Sequence, residues 1–98
     1  MVQATWKPYH GEMHGRLSAQ AIDSLPEACF AFPRARIAPM PDAAHVRNAI
    51  VRFDQVEYVT DEERDLAFAN IKKAAKHFGI KMKETSWHEL VSRVERAR

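Results

Sequence analysis

The chain is 98 residues long, 46% hydrophobic and 29% charged, with a formal net charge of +2. That length fits one domain and not two, the apolar fraction excludes disorder throughout, and so small a charge gives no argument for a dedicated nucleic-acid binder. Cys29 is the only cysteine, which excludes an intramolecular disulfide and a multi-thiolate zinc site and points to a reducing, cytoplasmic compartment.

Residues 1–16 hold Trp6, Pro8, Tyr9, Gly11 and Gly15 among histidines and polar residues. Two glycines and a proline in so short a stretch predict an irregular N-terminal arm, with Trp6 and Tyr9 free to pack on the body of the protein. No apolar run here serves as a signal peptide, and none elsewhere is long enough to span a membrane. Residues 17–98 read as a single helical domain. Ser18 is a good N-cap, Leu17 can staple onto Ile22, and Pro26 disfavours helix at Leu25, which predicts a short helix from Ala19 to Ser24.

Ala28 to Phe32 reads as extended and ends at Pro33; Ile37 to Met40 reads as its return. The prolines at 33, 39 and 41 exclude a long central strand, so a small hairpin or ordered loop packed on helices is expected. Asp42 then caps a helix running to about Val56, with Val46, Ala49, Ile50 and Phe53 on its apolar face. Thr60-Asp61-Glu62-Glu63 is a capping box that opens a second long helix. Ala67, Ile71, Ala74, Ala75 and Phe78 form its stripe, with Phe68 at the edge, and Gly79 ends it. Ile80 to Lys83 alternates apolar and basic residues and reads as extended. Ser86 to Glu89 is a second capping box, followed by Trp87, Leu90, Val91 and Val94 on a final helix, with Arg93, Arg96 and Arg98 toward its end.

The expected fold is therefore mainly α, a compact domain of three main helices plus a short N-terminal one, with a small extended or hairpin segment. Its core is expected to come from Val46, Ile50, Phe53, Ile71, Ala75, Phe78, Trp87, Leu90 and Val91, joined by Phe30 and Phe32.

Catalytic and metal chemistry find little support. His10 and His14 have helical spacing, but Gly11 and Gly15 argue against a helix there. A zinc site drawn from His10, His14, Cys29 and His45 rests on spacing alone, so no metal or cofactor is expected. Cys29 with His45 and Asp42 supplies the residue types of a thiol triad. Its neighbours Ala28, Phe30, Ala31 and Phe32 are apolar, which favours a small buried hydrophobe with a raised pKa. No glycine-rich loop is present to cradle a phosphate. The chain is expected not to be an enzyme.

Two groups of residues are candidates for binding. On the Asp42 helix, His45, Asn48 and Arg52 share a polar edge beside the apolar stripe, with Arg47 on the other side. The alternative for that edge is structural: Asp42 and His45 cap the helix, while Asn48 and Arg52 tie down the proline-rich segment before it. Arg34 and Arg36, with Arg47 and Arg52, are a candidate basic patch for phosphates; the lysines at 72, 73, 76, 81 and 83 form a second basic cluster. Exposure of Trp6, Tyr9 or Phe68 would favour a protein partner.

The string Leu25-Pro26, Phe30-Ala31-Phe32-Pro33, Arg36, Pro39, Asp42-Ala43-Ala44-His45-Val46-Arg47-Asn48-Ala49 and Arg52-Phe53 resembles a family of small uncharacterised bacterial and phage-associated proteins. The Asp61-Glu62-Glu63-Arg64 start, the Ile71 to Gly79 helix end and Trp87 fit the same pattern, so the resemblance covers about residues 17 to 91. It implies no activity, cofactor or catalytic residue, and at most an assembly or interaction role. The leading expectation is a small non-enzymatic protein-interaction or assembly module, with a protein partner or a homo-oligomer as its form; the alternative is a nucleic-acid-binding protein. No membrane partner is expected.

Overall fold

A computed structural model describes residues 2–11 and 18–96, with side chains from Ser92 onward left out. Expectations that fall on His14, Gly15, Leu17, Arg93, Val94, Arg96 and Arg98 therefore lie outside the described residues or side chains. In order, the elements are α1 (Ala19–Ser24), β1 (Phe30–Phe32), β2 (Ile37–Pro39), α2 (Ala43–Arg52), α3 (Asp61–His77) and α4 (Trp87–Arg96). Single turns of 3-10 helix occur at Glu27–Cys29 and Phe53–Gln55.

Local capping chemistry sets most helix ends. The Ser18 side chain accepts the amide of Ala21 at 3.1 Å, and Asp42 accepts that of His45 at 2.9 Å. Each satisfies an amide that the first helical turn leaves without a partner. Thr60 and Glu63 form both halves of the expected capping box. Gly79, at φ +73°, ends α3 in the left-handed conformation that costs a glycine nothing. The amide of Ile80 then reaches back to the carbonyl of Ala75 at 2.7 Å. The Glu89 carboxylate accepts the amides of Thr85 and Ser86 ahead of α4.

The expected mainly α domain of three main helices is corrected. The structure is 52% helix and contains a two-stranded antiparallel sheet beside its helices, so it is not clearly mainly α. The pairing sets Phe30 opposite Pro39 and Phe32 opposite Ile37. β1 packs on α3 and β2 on α2, so the hairpin is a layer of the core and not an appendage to helices. All three residues of β1 are buried. The prolines shorten the strands, but Phe30 and Phe32 carry too much apolar surface to be left at the rim.

Val46, Phe53, Ile71, Ala75 and Leu90 are buried as expected, while Ile50, Phe78, Trp87 and Val91 pack against the core from partly exposed positions. Phe30 sits in a separate small cluster with Leu25 and Cys29. Trp6, whose ring is fully buried, was absent from the expected core. Its indole Nε1 donates to the carbonyl of Met40 at 3.2 Å. Asn70, the one buried polar residue described, holds the backbone there. Its Oδ1 accepts the amides of Thr5 (2.7 Å) and Trp6 (2.9 Å), and its Nδ2 donates to the carbonyl of Ala31 at 2.9 Å. One side chain on α3 thus ties the N-terminal segment to β1.

Candidate functional site

The hairpin and α2 leave a cleft of about 500 Å³ between them. Phe32, Ile37, Ala38 and Pro39 line it from the hairpin; His45, Asn48, Ala49 and Arg52 line it from α2. Ile22, Gln55 and Val56 also border it. The volume is within the usual range of ligand sites, and apolar walls beside a few convergent polar groups are their usual composition.

The three residues expected on one polar edge of α2 thus share this cleft. Their order follows from helical geometry: positions 45, 48 and 52 fall on one side of a helix. Arg47 is exposed and does not line it. Arg52 and Asn48 do not bond to the proline-rich segment before the helix. Instead, Arg52 Nε donates to Asn48 Oδ1 at 3.0 Å, an exposed pairing that orients the guanidinium on the rim.

His45 is oriented from the helix start. Its Nδ1 lies 2.7 Å from Asp42 Oδ1, the same oxygen that accepts the His45 amide. Partial burial pushes the Asp42 carboxyl up. The His45 amide, the His45 ring and the Ala44 amide outweigh that and leave it below the usual carboxylate range. The Asp42–His45 pair is therefore a cap that also holds an imidazole on the cleft.

Arg34 and Arg36 are engaged within the fold. Arg34 forms a two-pronged pair with Glu63, Nε to Oε2 at 2.8 Å and Nη2 to Oε1 at 3.0 Å. Hydrogen bonding to Glu63, and then its charge, raise the already high pKa of Arg34. The same contact with Arg34 holds the Glu63 carboxyl below its ordinary value. Arg36 Nη2 donates to the carbonyls of Ile22 (3.1 Å), Asp23 (3.2 Å) and Leu25 (2.8 Å), and its guanidinium lies 4.5 Å from the centre of the Phe30 ring. These carbonyls lie at the end of α1, where the helix leaves most carbonyls without an intrahelical partner; that of Ile22 also accepts the Leu25 amide. Arg36 thereby fixes Ile22 beside the cleft.

Cys29 is 1% exposed. Burial raises its thiol pKa, the Met40 amide lowers it, and the nearby Asp42 carboxylate raises it again, for a net rise. A thiol so placed is a poor nucleophile at neutral pH. Among the described residues no three of His, Cys, Asp and Glu come together as metal ligands. None of the described helices is long and apolar enough to cross a membrane.

Of the three aromatics whose exposure would favour a protein partner, two are covered. Trp6 and Phe68 are buried, whereas Val51 and Tyr58 are 63% and 94% exposed. Sequence reasoning did not single out Tyr58. Its signal was an aromatic that follows an acidic residue, Glu57, in a short inter-helix link.

The chain belongs to DUF6582, a family of unknown function. The family profile matches residues 19–85, which include α1, the hairpin, α2 and α3. No curated protein and no solved structure matches the chain. The matched DUF6582 segment contains every residue that lines the cleft.

Proposed function

We propose that this DUF6582 protein is a non-enzymatic protein-interaction module, and that its docking site is the cleft between the hairpin and α2. The observation that carries this reading is the composition of the cleft: an apolar trough with Arg52, Asn48, Gln55 and His45 on its border. Apolar walls supply most of the affinity for an inserted side chain, and the polar border selects its flanks. The resemblance to bacterial, phage-associated proteins supports an assembly role, and a buried, unpaired cysteine suits a cytoplasmic setting.

Nucleic-acid binding is second. Its basic patch joined Arg34, Arg36, Arg47 and Arg52, and three of these four are held by partners within the chain. The experiment that separates the two readings is pull-down from the native host with wild-type and Arg52→Glu baits, each with and without nuclease. A protein partner retained after nuclease but lost with Arg52→Glu supports the reading. A partner that ignores the substitution, or one that disappears with nuclease, refutes it. Equal thermal stability of the two baits shows that the substitution acts at the surface.

A further inference from the structure

Tyr58 is the least expected side chain on the surface. Its ring is 94% exposed, and its backbone lies at φ +63°. Bulky residues rarely take the left-handed region, because Cβ crowds the following carbonyl. An aromatic that is both strained and fully solvated gains nothing within its own chain. The residues around it show that this exposure is imposed. Val56 and Val59 both pack against the core, and the amide of Val56 closes the preceding turn on the carbonyl of Phe53 at 3.3 Å. With the link pinned on both sides, Tyr58 is held outward as a fixed knob. Strained residues that the fold holds in place concentrate at recognition sites.

We propose that the occupant of the cleft is a second copy of this chain, with Tyr58 of each copy seated in the other's cleft. This rests on the cleft being a docking site, and it names the partner. The chemistry is complementary. Ile37, Pro39 and Val56 offer the ring apolar walls, and about 500 Å³ accommodates one aromatic side chain with its flanking backbone. The exposed Glu57 travels with Tyr58. Arg52 spends its Nε on Asn48, so its remaining donors are available to the carboxylate of Glu57 from the second copy. The layout also closes on itself. Val56 lines the cleft and Tyr58 follows two residues later, so the knob stands beside the hole. Reciprocal insertion then generates a two-fold dimer in place of an open chain of molecules.

The interface is small. Two tyrosines in two clefts bury roughly 800 Å² in all, below the roughly 1,200 Å² of stable complexes. The dimer is therefore weak and concentration-dependent. The test is sedimentation equilibrium of the purified full chain from about 10 μM to about 1 mM, a range that brackets weak association. The average mass should rise from 11.2 kDa toward twice that value. Tyr58→Gly removes the knob and suits the positive φ; it should weaken association at least about tenfold, as should Arg52→Glu. A wild-type chain that stays monomeric at the highest concentration, or a dimer indifferent to both substitutions, overturns the proposal. Because this test uses pure protein, a monomer there leaves the cleft to be judged by the host pull-down with Arg52→Glu.

Discussion

Asn70→Ala removes one side chain that serves three backbone groups. In the folded protein Asn70 accepts the amides of Thr5 and Trp6 and donates to the carbonyl of Ala31. Trp6 and Ala31 are fully buried, so their freed amide and carbonyl meet no bulk water. A buried polar group left unpaired costs about 1–3 kcal/mol. Two such groups give about 2–6 kcal/mol, and a water entering the vacated space brings the expected loss toward about 2–4 kcal/mol. Domains of this size have about 5–15 kcal/mol in total, so the variant folds but is severely weakened. With a urea m-value of about 1–2 kcal/mol/M, the midpoint falls by about 1–4 M. Tryptophan fluorescence reports it, since Trp6 is buried by the contact in question. Asn70→Leu separates hydrogen bonding from packing. Leucine restores volume but leaves the same groups unpaired, so it should be no better than alanine. Hydrogen exchange should show the Trp6 amide protected in the wild type and fast in both variants. A loss below about 0.5 kcal/mol for Asn70→Ala with an unchanged m-value, or a neutral Asn70→Leu, refutes this account of what fastens the N-terminal segment.

Three further outcomes follow from the geometry. Arg36→Lys keeps the charge but cannot bridge three carbonyls while lying over Phe30; it should cost about 1–2 kcal/mol and speed proteolysis near Ile22–Leu25, and unchanged cleavage there would show that α1 is held by something else. Asp42 and Glu63 both have carboxyl pKa values lowered by folding. Their contribution is present above the unfolded carboxylate value near 4 and is lost as pH falls through the lower folded values, so thermal stability should drop between about pH 5 and pH 2. Asp42→Asn, which retains a capping oxygen, should flatten part of that drop, and an unaltered profile would remove Asp42 from the explanation. Cys29 should react with a disulfide reagent only as fast as the fold opens, with a jump in mild urea; rapid labelling of the native protein would contradict its burial.

The helix ends were legible because their causes are local. Ser18, Asp42, Thr60 and Gly79 each act within four residues of themselves, so spacing along the sequence is enough to find them. Trp6 was not legible, because its partners are 34 and 64 residues away. A signal did exist: Asn70 lies three residues after Ala67 and four before Ala74, so it is a polar residue in the apolar register of α3. The hairpin was underestimated for a different reason. β1 is covered on both faces and so shows no alternation of apolar and polar residues. Arg34 and Arg36 looked like a basic patch because counting charges along a chain ignores their partners; Glu63 is 29 positions from Arg34. His45, Asn48 and Arg52 could be placed on one edge of a helix by arithmetic. What that edge faces depended on the hairpin and was out of reach.

Strain is distributed in the way a binding cleft would require. Among the described residues, the non-glycine positions with positive φ are Arg36 (53°), Ala38 (62°) and Tyr58 (63°). Ala38 lines the cleft, Arg36 adjoins the lining residue Ile37, and Tyr58 follows Val56 by two. A left-handed L-residue costs about 1–2 kcal/mol, so three of them are a considerable load on a small domain. Arg36 has an evident compensation in the carbonyls it caps. Ala38 packs against the core and lines the wall of the cleft ahead of Pro39, which gives its conformation a second role, in the shape of that wall, to be tested. Ala38→Gly tests that role. Relief of the left-handed strain, less the extra chain entropy of glycine, should raise stability by about 0.5–1 kcal/mol. A freer backbone at the wall should weaken whatever docks there, including the second copy, because the cleft is then no longer held in its binding shape. If Ala38→Gly is stabilising and docking is undiminished, the strain at this turn has no part in recognition.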